Sequence, residues 1–325
     1  MANTEYKGNL IEDKRGNIKL RGTIQGLTPP CKNGMGYKDM PAKDGKHAYR
    51  SIKFFVATAN DNKPTAELIG SPKEFAYAYS KKEKKSMKLD WAKRNNKLPG
   101  DYELIIPEYD LIKKLSEEFK DGDNVVIVVE PKFSVYDNPK SGVSEEQTNL
   151  NIKFIYPCTD VIDFNAEDFV EEATFSQSIT IRDFSEDTKA GKAFLFAYVV
   201  LYGGKFVTTT FNINLKTIDQ SFYRNLKSLK FGDSIRVNGL VQNRVLKETV
   251  QVNDGWGTKE NVNSTFYKAL EITGADGASL IKKRYKELDF VESQVDATFA
   301  GNIPTNQGAK DVPPVNTEET LPFQV

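Results

Sequence analysis

The sequence predicts a mainly β chain: two five-stranded barrels in tandem, a basic insertion in the first, and an acidic tail. Three observations predict it. Apolar residues alternate with a period of two over ten short runs, the spacing of half-buried strands. The runs fall into two sets with the same internal order. Matching residues in the two sets recur at constant offsets, the mark of an internal repeat.

The first set opens with strands at Ile18–Gln25, Arg50–Thr58 and Thr65–Ile69. An amphipathic helix follows at Glu108–Phe119, then strands at Asn124–Glu130 and Leu150–Tyr156. The second set has strands at Phe175–Arg182, Ala193–Leu201 and Phe206–Ile213, a helix at Ile218–Leu229, and strands at Ser234–Val241 and Thr265–Ile272. Ile52–Phe55 aligns with Phe194–Ala197 at an offset of 142. Beyond the helices, Lys120-Asp121-Gly122-Asp123 aligns with Lys230-Phe231-Gly232-Asp233 at an offset of 110. The difference of 32 residues places one extra segment in the first set, about residues 71–102. Strand-strand-strand-helix-strand-strand is the order of the OB-fold, a small, partly open barrel. The expected division is OB domain 1 at residues 1–165, OB domain 2 at 166–286 and a disordered acidic tail at 287–325.

Composition narrows the function classes. Length, 325 residues, suits two domains, and aromatics are abundant, with 20 Phe and 14 Tyr. Two cysteines, Cys31 and Cys158, and the single His47 cannot supply a four-ligand zinc site. No phosphate loop, Cys-His set or Ser-His-Asp set occurs, so neither an enzyme nor a cofactor is expected. No apolar leader or membrane-length run occurs, and the bacterial cytoplasm, or a host's for a phage protein, is the expected location. The formal net charge of zero conceals a polarity. From Glu287 onward seven acidic residues face one basic, leaving 44 basic and 38 acidic residues in the body. A basic body with an acidic tail points to an anionic partner.

Strand alternation sorts side chains by face. In the second set Leu195, Ala197, Val199 and Leu201 fit the barrel interior, which puts Phe194, Phe196, Tyr198, Val200 and Tyr202 outside. Arg182 on the first strand of that set, Arg236 on the fourth and Arg244 just beyond it also face out. In the first set Lys19 and Arg21, then Tyr49, Lys53 and Phe55, take the outer positions. Cations for phosphates and rings for bases on one sheet face are what single strands require. The insertion is the most basic stretch: residues 81–97 hold eight Lys or Arg, among them Lys81, Lys82, Lys84 and Lys85, with Trp91 in their midst. It reads as a helical arm over the same groove.

The chain closes on Glu318-Glu319-Thr320-Leu321-Pro322-Phe323-Gln324-Val325. Acidic residues followed by Leu-Pro-Phe resemble the C-terminal tip of bacterial and phage single-stranded DNA-binding proteins. Two acids precede Leu321 and two residues follow Phe323, where the family's tip usually ends. The resemblance implies sequence-independent coating of single-stranded DNA in replication, recombination or repair. It also implies a tip (Glu318, Glu319, Leu321, Pro322, Phe323) that recruits partner proteins. Two barrels in one chain with a basic insertion look more like a bacteriophage version than the usual cellular one. The alternative is an OB-type module, a virion or host-takeover protein, whose exposed aromatics bind protein and no nucleic acid.

Overall fold

The computed structural model describes residues 10–11, 15–27, 35–43, 47–137, 139, 142–253 and 258–290, a mainly β molecule. Its first half contains β1 (Asn17–Gln25), β2 (Lys38–Met40), β3 (Tyr49–Ala57), β4 (Thr65–Gly70), β5 (Phe75–Ser80), β6 (Lys85–Asp90), β7 (Tyr102–Ile105), α1 (Glu108–Glu118), β8 (Asn124–Asp137) and β9 (Ser144–Pro157). Its second half contains β10 (Glu172–Asp187), β11 (Lys192–Val200), β12 (Phe206–Asn214), α2 (Gln220–Lys227), β13 (Ser234–Asn253) and β14 (Thr258–Ile281). Strands β1, β3, β4, β9 and β8 hydrogen-bond in a closed circuit, with β4 and β9 parallel and the other pairs antiparallel. Strands β10, β11, β12, β14 and β13 repeat that circuit, again with the third and fifth strands parallel.

Alternation builds both circuits. Ile18, Leu20 and Ile24 of β1 are buried, as are Ala193, Leu195, Ala197 and Val199 of β11. Each helix contributes two buried side chains, Ile112 and Leu115 from α1, Tyr223 and Leu226 from α2. The Gly-Asp turn repeats down to its hydrogen bonds. Ile24 N donates to Asp123 O at 2.9 Å and Gly122 N to Ile24 O at 3.0 Å. In the second circuit Ile181 N donates to Asp233 O at 2.8 Å and Gly232 N to Ile181 O at 3.0 Å. Gly122 (φ 91°) and Gly232 (φ 81°) occupy the left-handed region, which is why glycine stands at both.

Three devices join the halves. Strand β1 pairs with β10 from Asn17↔Ser176 to Arg21↔Glu172. The long β8 reaches into the second half, where Phe133 lies 6.3 Å from Phe211, itself 5.9 Å from Phe175. The β3–β4 turn docks on β13 through Asn62, a fully buried residue that accepts from Asn243 N at 2.7 Å and donates to Val241 O at 2.8 Å. One hydrophobic cluster consequently runs through both circuits.

The structure corrects two expectations. The insertion is not a helical arm: β6, β5 and β7 form a separate three-stranded antiparallel sheet, followed after β6 by a single 3-10 turn at Trp91–Lys93. Ala76, Ala78 and Ser80 are buried while Tyr77 and Tyr79 are exposed, a period-two split that only a strand satisfies. The folded body also extends past residue 286. Glu287–Phe290 forms a helical turn, and Phe290 is buried beneath the aromatic end of β11. Residues 291–325, including the acidic tip, lie outside the described residues. Among those described, no helix is long and apolar enough to cross a membrane.

Candidate nucleic-acid interface

The outer face of β11, β12 and β14 brings aromatic, cationic and amide side chains together. Antiparallel register sets Lys192 beside Asn214, Phe194 beside Asn212 and Phe196 beside Thr210. Phe194 and Phe196 are half-buried, so part of each ring meets solvent, while the intervening Leu195 and Ala197 close the core. Next, β12 hands the face to β14 through Asn212↔Glu271. Asn212 Nδ2 donates to Tyr267 Oη at 3.1 Å, and Lys192 Nζ stands 5.1 Å from the centre of the Tyr267 ring. Lys216, exposed beyond the end of β12, shares a cavity here with Lys192, Tyr267 and Glu271. Neither lysine forms an ion pair among the described residues. Burial pushes the Tyr267 hydroxyl and the Glu271 carboxyl above their ordinary pKa values.

Other residues singled out from the sequence fall elsewhere. Tyr198 is stacked by Phe290 at 3.9 Å and Arg182 lies 5.9 Å from its ring, so that end of β11 is covered by the chain's own aromatic. Tyr202 leaves the strand for a 3-10 turn and is 76% exposed. Arg236 is committed to β10, donating to Ser176 Oγ at 2.8 Å and Ser178 Oγ at 3.1 Å. Arg244 is engaged at the junction between the halves, by Glu171 at 2.5 Å and by Asp61. Lys19 pairs with Glu172 at 2.7 Å, and Arg21 lies 3.5 Å from Asp160 and 3.6 Å from Glu172. Both sit where β1 runs between β8 and β10, away from the β11–β12–β14 face. The alternation that put them outside was right, but acids from remote segments neutralise them.

In the first circuit Tyr49, Lys53 and Phe55 do share the outer face of β3. Lys53 is opposite Glu67 on β4 and close enough to Lys268 of β14 to help push that ammonium's pKa down, second to desolvation. The second circuit's last hairpin thus approaches the first circuit's outer face. Trp91 is packed rather than presented: Arg94 lies 4.1 Å over its ring, Tyr109 of α1 meets it edge-on at 6.1 Å, and Arg94 is held by Asp110 at 2.6 Å. Lys82, Lys84 and Lys85 are exposed on the β5–β6 hairpin, and Lys81 there meets Glu103 at 3.0 Å.

Sequence reasoning missed Tyr267, Glu271, Lys192 and Lys216: the two lysines stand at or just beyond the ends of predicted strands, and Tyr267 and Glu271, on a strand that was predicted, reach this face only through the parallel pairing of β12 with β14. It also missed the exposed pairs Tyr77 and Tyr79, and Phe154 and Tyr156, the latter stacked at 6.3 Å on the outer face of β9.

With that geometry in place, the comparisons locate the chain. The family model described as YorF matches residues 33–301. The chain belongs to the YorF family. No curated protein matches this YorF-family member. Among solved structures it is similar to the wild-type single-stranded DNA binding protein from Thermus aquaticus, at 11% identity and a TM-score of 0.39, over 81% of this chain and 93% of that one. It is similar also to a deletion mutant of the same protein, at 11% identity and a TM-score of 0.37, over 81% and 94% of the two chains.

Proposed function

We propose that this YorF-family chain binds single-stranded DNA without acting on it chemically, through two tandem OB-type domains. The observation that carries the reading is the β11–β12–β14 face, where partly exposed Phe194 and Phe196 follow Lys192 along β11 and Lys216 stands at the same end as Lys192, on an otherwise closed barrel. Rings on the outside of a barrel forgo burial, and bases are partners that restore it; each stacked base is worth about 1–3 kcal/mol. The lysines supply phosphate contacts that tolerate any sequence. Tyr49, Lys53 and Phe55 extend the path across the first circuit. In this reading the protein coats strands during replication, recombination or repair, and Glu318 to Phe323 recruits partners. A second reading, a protein-binding module, is favoured by Phe154 and Tyr156, 58% and 53% exposed on β9 rather than on the β11–β12–β14 face.

A titration with labelled oligo(dT) separates them. Binding is expected to exceed that for duplex of equal length and to weaken steadily with salt, as counterion release requires. Phe194→Ala with Phe196→Ala is expected to lower affinity at least about fivefold, from the stacking value above. Equal affinity for duplex, or a double variant that binds as the parent does, would refute the proposal.

A further inference from the structure

We propose that the cavity at the foot of this face is a nucleobase subsite selective for guanine, read by Glu271. The inference rests on the strand-binding reading and adds a base preference to it. The cavity measures about 310 Å³ and is lined by Lys192, Lys216, Gln242, Arg244, Tyr267 and Glu271 among others, room enough for one base. Glu271 is the anomaly. It is only 9% exposed, yet it stands on a face read as meeting a polyanion. Its one side-chain hydrogen bond among the described residues comes from Tyr267 Oη at 3.5 Å, the outer limit for such a bond. Arg244, a cation on the same wall, has its guanidinium hydrogen bonds taken by Glu171 and Asp61. A buried carboxylate with so little donation carries a desolvation cost that the charges of Arg244 and Lys192 offset only in part, since its pKa stays raised. A ligand that brings donors removes that cost, and one that brings only acceptors adds to it.

The Watson–Crick edges of the bases decide which ligand does so. Guanine alone presents two adjacent donors, N1–H and the N2 amino group, which match the two oxygens of a carboxylate in parallel. In adenine and cytosine the amino group lies beside an acceptor nitrogen, and in thymine the N3–H lies between two carbonyls. Lys192 and Lys216 at the cavity are placed for the flanking phosphates, and the Tyr267 ring supplies an apolar wall.

The test uses the full chain and labelled oligo(dT) carrying a single dG, dI, dA or dC at its centre. The dG strand is expected to bind on the order of tenfold tighter than the others, the scale of a bidentate base contact. The dI strand, which lacks only the 2-amino group, is expected to lose most of that gain. Glu271→Gln is expected to bring the dG strand down to the dI level, and Glu271→Asp to restore part of the difference. Failure to bind any of the strands would sink the strand-binding reading itself. Binding with equal affinity for all four, a preference for another base, or a guanine preference that survives Glu271→Gln would overturn the subsite alone. Should Glu271→Gln misfold, the wild-type series still decides, since equal binding overturns the proposal.

Discussion

Asn62 shows how much a single polar side chain contributes at the junction of the two halves. It is fully buried, and its amide is satisfied on both sides: Oδ1 accepts from Asn243 N, while Nδ2 donates to Val241 O and to Glu171 Oε1 at 2.5 Å. Glu171 in turn accepts from the fully buried Thr58 at 2.7 Å and holds Arg244. Asn62→Ala strands the partly buried Asn243 N–H and the buried Val241 carbonyl, and each orphaned group costs about 1–3 kcal/mol. The variant is therefore expected to lose at least about 2 kcal/mol in denaturant unfolding. A loss under about 0.5 kcal/mol, the range of an ordinary surface substitution, would show that water replaces the amide. Nothing in the local sequence Asn60-Asp61-Asn62-Lys63 distinguishes this side chain from an ordinary turn asparagine, because its partners lie more than a hundred residues away. The same holds for Lys19, Arg21, Arg236 and Arg244: alternation placed them outside, but the acids and serines that engage them come from remote segments.

At the level of elements the insertion is instructive in what it hides. Tyr77 and Tyr79 alternate with Ala76, Ala78 and Ser80, so the strand period was written in the sequence. The turn that follows was not, since Lys81 to Lys85 contains no glycine, proline or asparagine to announce a hairpin, and its lysine density reads as helix. The turn is made instead by Lys84 at φ 53°. A non-glycine residue there is strained, and glycine is not. Lys84→Gly therefore removes a charge while leaving the fold within about 1 kcal/mol of the parent. Combined with Lys82→Ala and Lys85→Ala, it is expected to weaken oligo(dT) binding and reduce the salt slope by about 0.7 for each phosphate no longer neutralised. An unchanged slope at unchanged affinity would place the hairpin off the path of the strand. By contrast, strands β1, β3, β4, β11 and β12 were legible nearly to the residue, because each buries one face in a barrel and the alternation survives; β10 runs beyond its predicted Phe175–Arg182 at both ends, and its alternation breaks at Ile179–Ile181. The full length of β13 and β14 was not, since the predicted runs Ser234–Val241 and Thr265–Ile272 cover less than half of either strand.

Across the whole molecule, the two circuits share a core, and their stability is expected to be shared too. Phe133, on a strand of the first circuit, is 8% exposed and packs against Phe211, which is fully buried among second-circuit strands and stacked with Phe175. The β1–β10 ladder and the Asn62 clamp add backbone and polar links across the same boundary. Breaking one circuit would therefore expose apolar surface in the other, which couples their unfolding. Phe133→Ala opens a cavity at the join, and such truncations cost about 3–5 kcal/mol. If the halves were independent, that loss would fall on the first alone. In a coupled body it falls on both, so amide hydrogen exchange is expected to accelerate on β11 and β12 as much as on β3 and β4. Calorimetry of the parent is expected to give one transition, with the van't Hoff and calorimetric enthalpies in agreement. A parent that melts in two steps, or a Phe133→Ala variant whose β11 and β12 amides keep their protection, would mean that each barrel stands alone and that a strand crossing from Lys53 to Phe194 spans a movable joint. Coupled unfolding would mean that the two outer faces are held at one fixed separation, so that a bound strand meets both without ordering them first.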